Sequence, residues 1–78
     1  MTTGSAWPAP DSDLGVKFVT FLDFVGPSAV GTLATEFRVD PDDVRATLAM
    51  LTRDGYLERE ALGHYRSTRA WRPEGITA

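Results

Sequence analysis

The 78-residue chain contains no cysteine and a single histidine, His64. Without cysteine no disulfide staples the fold, and no thiolate is available as a nucleophile or metal ligand. One histidine, with no acids clustered around it as ligands, cannot build a usual zinc site, so no metal or other cofactor is expected. A phosphate-cradling loop is also missing, because Gly26-Pro27-Ser28-Ala29-Val30-Gly31 lacks the lysine and the preceding strand such a loop needs. Ser28, Ser67 and His64 give no recognisable nucleophile arrangement, and catalysis is not expected. Long apolar runs are absent. The most apolar stretch, residues 14–25, is too short to span a bilayer and carries Lys17 and Asp23. The first dozen residues show neither the basic start nor the apolar run of a leader. A soluble, cytoplasmic protein with no membrane partner is the expectation.

Positive charge is scarce in the first half. Residues 1–37 hold only Lys17 against Asp11, Asp13, Asp23 and Glu36, whereas residues 38–78 balance seven arginines against seven acids. The formal net charge of −3 argues against a protein coated for nucleic acid. Locally the balance reverses: Arg59, Arg66, Arg69 and Arg72 face Glu60 alone between residues 59 and 72.

What is present is one domain's worth of patterned chain. Residues 1–12, rich in Pro, Gly, Ser and Thr and with Trp7 as the main apolar group, suggest a disordered arm. Residues 13–72 make the folded unit, and Pro73 and Gly75 mark a flexible tail over 73–78. A first helix is expected near 13–25, capped by Ser12 or Asp13 and stopped by Gly26-Pro27. Leu14, Phe18, Phe21, Leu22 and Val25 form its buried stripe. Val16, Val19 and Phe24 fall outside that stripe, and either pack on the arm or hairpin or make a dimer surface. A short second helix over 28–37, with Ser28 as cap, buries Val30, Leu33, Ala34 and Phe37. The third helix is the clearest: Asp40 caps it, Pro41 suits its first position, and Asp42 and Asp43 favour the positive end of its dipole. Val44, Leu48 and Leu51 are its inner stripe, and Gly55 stops it. The period then changes to alternation, with strands over 56–59 and 64–67 and a turn at Gly63.

Three helices followed by a two-stranded hairpin give an α+β fold. Residues 30–67 resemble the winged helix-turn-helix family of prokaryotic transcription regulators. The resemblance rests on Val30-x-x-Leu33-Ala34-x-x-Phe37, Val39-Asp40 at the turn, Val44-x-x-x-Leu48-x-x-Leu51-x-x-x-Gly55-Tyr56-Leu57-Glu58-Arg59, and Gly63-His64-Tyr65-Arg66 in the returning wing strand. It implies that the third helix, over 41–54, enters a DNA major groove and that the wing touches the backbone or minor groove. Arg45 is then a candidate for a guanine edge and Asp42 for a cytosine amino group, while Ala46 and Ala49 permit close approach to thymine methyls. Arg53 completes that face. Thr35 and Arg38 are candidates for phosphate contacts, and His64 and Arg66, with Arg59 nearby, for the wing. Double-stranded DNA is the expected partner of a small sequence-specific regulator, acting as a homodimer or with a protein partner.

Each residue also has a plainer reading. Asp40, Asp42 and Asp43 serve as capping and dipole residues, Arg45 and Arg53 as their solvated partners, and His64 as an exposed strand residue. Those carboxylates repel phosphates. The alternative function is therefore an acidic winged-helix module or inhibitor that engages a protein of a transcription or replication machine.

Overall fold

The computed structural model describes residues 9–10, 12–69 and 71. Trp7, Asp11, Arg72 and the 73–78 tail lie outside the described residues. Helix α1 (Asp13–Val25) begins where the Ser12 hydroxyl accepts from the Gly15 amide at 2.9 Å, which satisfies one of the first-turn donors. It ends at Gly26, whose N–H donates to the Leu22 carbonyl. Just before the helix, Pro10 is buried and Ser12 is the N-cap.

The inner face of α1 is rotated from the expected stripe. Gly15, Phe18, Val19 and Leu22 are its buried residues, Leu14 and Phe21 are partly covered, and Val25 is exposed. The reason is tertiary, because α1 packs on both α3 (Pro41–Arg53) and β3 (His64–Ser67). A helix covered from two directions buries a wider arc than a single amphipathic stripe.

Ser28 departs from its expected role as a helix cap. Ser28–Ala29 form a short strand, β1, and α2 (Val30–Phe37) starts after it with no side-chain cap. The Ser28 hydroxyl instead donates to the Gly26 carbonyl at 3.1 Å. β1 pairs antiparallel with β3 (Ser28 opposite Tyr65), and β2 (Leu57–Arg59) pairs with β3 on its other side (Leu57 opposite Ser67). The sheet is therefore three-stranded, in the order β1-β3-β2, rather than the expected two-stranded hairpin. Three helices and this sheet make an α+β fold compatible with a winged-helix-like arrangement.

Helix α3 follows its local sequence closely. Asp40 accepts from the Asp42 amide at 2.8 Å, and Pro41 occupies the first helical turn. Val44, Leu48 and Leu51 are fully buried. At its end the Gly55 amide donates to Thr52 and the Tyr56 amide to Leu51, with Gly55 at φ 91°. This paired closure needs a left-handed residue, which glycine adopts without a Cβ clash. Leu33 and Leu57 join α1 and α3 in one core. Phe37 closes its edge with ring centroids 5.3 Å from Phe18 and 5.4 Å from Phe21. Thr68 fastens the end of β3 to the start of β2, donating through its hydroxyl to the carbonyls of Gly55 and Tyr56.

Candidate nucleic-acid interface

The burial of Val44, Leu48 and Leu51 dictates what α3 shows to solvent. Asp42, Arg45, Ala46, Ala49 and Arg53 are all exposed, and their spacing places them on one helical face. Two alanines at its centre leave the backbone approachable. The charges on this face are already matched locally. Arg45 Nη1 donates to Asp42 Oδ1 at 3.0 Å, and Arg53 Nε donates to Asp54 Oδ1 at 3.3 Å. Exposed pairs of this kind are worth about 0.2–1 kcal/mol, so either arginine is released at small cost.

Thr35 and Arg38 are exposed on and just after α2. Arg38 terminates α2 in a left-handed conformation, φ 56° and ψ 49°, with its N–H on the Ala34 carbonyl. That geometry makes the turn into α3 short, at the expense of strain for a residue bearing a Cβ. Among the described residues Arg38 and Arg59 make no ion pair.

The hairpin between β2 and β3 is the remaining expected contact region. His64 is half-buried and sits opposite Ala29 of β1. Arg66 is exposed, but it is clamped by two acids, with Nη2 on Glu58 and Nε on Glu60 at 2.7 Å. At the tip, Leu62 is 90% exposed with φ 66°, followed by Gly63 at φ 74°. The structure thus gathers Asp42, Arg45, Ala46, Ala49 and Arg53 onto one face. It joins Arg66 to hairpin acids rather than to that face.

The Glu58–Arg66 pair was detectable in principle, since the two residues flank the turn and a hairpin register sets them opposite each other. Asp23, which pairs with Arg69 across the fold, had no local signal. Val16, Val19 and Phe24, expected either to pack on the arm or hairpin or to make a dimer surface, differ in exposure. Val19 is 1% exposed and part of the core, because α1 is covered on two sides. Val16 is half-buried, and Phe24 is 78% exposed at the far end of α1.

Among the described residues no group of three or more His, Asp or Glu side chains is placed to hold a metal ion, and no helix is long and apolar enough to cross a membrane. No protein-family model matches the chain, and neither does any curated protein or solved structure.

Proposed function

We propose that the chain is a non-enzymatic winged-helix module that binds double-stranded DNA as a small sequence-specific transcription regulator, with α3 in the major groove and the β2–β3 hairpin as the wing. The observation that carries this reading is the exposed α3 face, with Arg45 and Arg53 flanking Ala46 and Ala49 on a helix joined to α2 by a short turn. Arginine forks on such a face suit guanine edges, and alanines suit close approach and thymine methyls. Arg38 and Arg59, which have no acid partner among the described residues, are the phosphate contacts of this reading. Affinity is weak for one copy, because Asp42 and Asp43 oppose phosphates and Arg66 must leave Glu58 and Glu60. A second copy or a protein partner would supply the missing contacts.

A second reading is favoured by one specific observation: Arg45, Arg53 and Arg66 each already hold a carboxylate. A surface of matched ion pairs with acids at one helix end suits a protein partner better than a polyanion.

Titration against a random-sequence duplex pool at low salt separates the two. For DNA binding, Arg45→Ala weakens binding and relaxes preference at one position by about 1–3 kcal/mol. Arg66→Ala instead weakens all sequences alike and lowers the salt slope by about one contact. No retained duplex, with a defined protein captured through Asp42 and Asp43, would sink the DNA reading.

A further inference from the structure

The tip of the β2–β3 hairpin carries a residue that its position does not favour. The Glu60 N–H donates to the His64 carbonyl at 2.7 Å and closes the turn behind Ala61, Leu62 and Gly63. Leu62 stands at φ 66° and ψ 19°, and Gly63 follows at φ 74°. Left-handed residues let so short a turn close, and glycine or asparagine adopts that geometry with little strain. Leucine instead brings a Cβ against the following carbonyl oxygen. It also brings an apolar side chain that nothing covers. Leu62 is 90% exposed, more than Phe24 at 78% or Val25 at 60%. The space around the tip is open, since a Cβ built on Gly63 would meet nothing within 4 Å. Leu62 is thus strained at its backbone, exposed at its side chain and outside the core. Backbone strain of this kind gathers at sites of ligand contact.

We propose that Leu62 is an apolar wedge that enters the DNA minor groove beside the α3 site, partly unstacks one base step and kinks the duplex. This inference rests on the DNA reading of α3 and gives the wing a specific side chain and effect. Three features favour the minor groove. The hairpin follows α3 after Asp54, Gly55 and Tyr56 alone, and β2 packs on α3, so the tip is carried at a fixed place relative to the α3 face. A three-residue tip whose one large side chain is a leucine suits a groove about 6 Å wide. No charge lies on the tip itself. Glu58 and Glu60 pair with Arg66 at or behind the closing bond, while Arg59 on β2 is exposed and makes no ion pair among the described residues. Apolar side chains inserted between base steps bend DNA toward the major groove. Pyrimidine–purine steps unstack most easily, so the wedge adds sequence preference where no base edge is contacted.

The test starts from duplexes that the full chain retains from a random-sequence pool at low salt. Labelled at both ends, they should shorten on binding the wild-type chain, with energy transfer reporting a bend of about 20–90°. Their sequences should share a TA, CA or TG step at one offset from the α3 site. Leu62→Gly and Leu62→Asn should each melt at or above the parent temperature, still retain duplex, and lose both the bend and the shared step. Leu62→Met should keep both. Straight DNA in the wild-type complex, or a bend that survives Leu62→Gly and Leu62→Asn, would overturn the wedge and leave the α3 reading intact. A lower melting temperature for both variants would make Leu62 a packing residue and overturn the wedge as well. If the wild-type chain retains no duplex, the wedge falls together with the DNA reading, whether or not a protein is captured through Leu62.

Discussion

Two glycines in first helical turns give a matched test of the packing. Gly15 in α1 is buried, and a Cβ built on it would lie 3.1 Å from Ser12 Oγ, 3.2 Å from Pro10 Cβ and 3.3 Å from Leu51 Cδ2. Gly31 in α2 is exposed, and a Cβ there would meet nothing within 4 Å. Replacing either by alanine removes the conformational cost of glycine in a helix, about 0.5–1 kcal/mol. For Gly31→Ala nothing opposes that gain, so the melting temperature should rise by roughly 2–8 °C in a domain this size. For Gly15→Ala the added methyl is enclosed on three sides. One of those neighbours, Leu51, is a fully buried core residue, and another is a proline ring. Overpacking of this kind costs about 1–3 kcal/mol, which outweighs the propensity gain and leaves a net loss near 1 kcal/mol. The melting temperature should then fall by about 4–8 °C. Thermal unfolding followed by circular dichroism reads both shifts under one set of conditions. If Gly15→Ala rises alongside Gly31→Ala, the close approach of α1 to Leu51 and Pro10 is wrong.

Other substitutions probe α3 and the turn before it. Asp40→Ala removes the cap to Asp42 and should lose about 1 kcal/mol, whereas Leu48→Ala opens the core and should lose about 2–5 kcal/mol; equal urea midpoints for the two would show that α3 is misplaced. Arg38→Gly relieves about 1–2 kcal/mol of left-handed strain against about 0.4–1 kcal/mol of added unfolded-state entropy. It should raise the melting temperature while weakening duplex binding at low salt, and a variant that becomes less stable would refute the strain.

Helix α3 and the positions of β2 and β3 were legible in the chain because their causes are local. A cap at Asp40, proline at Pro41, an apolar period through Leu51 and a left-handed stop at Gly55 all act within a few residues of one another. The exposed α3 face follows from the same period, since burying Val44 and Leu48 turns Arg45 and Ala49 outward. The α+β composition and the glycine at the hairpin turn belong to the same class.

Everything that joined distant segments was decided only by the tertiary fold. Ser28 has the local look of a helix cap, yet pairing with Tyr65 makes it a strand residue, because a ladder bond to a remote partner outweighs a weak local preference. Val19 fell outside the expected stripe, with packing or a partner surface both open, and became core once α3 and the sheet covered α1 from two sides. The contacts of Asp23 with Ser67 and Arg69 are the extreme case. These residues are unremarkable where they stand in the chain, and only the docking of β3 on the end of α1 brings their charges and hydroxyl within reach.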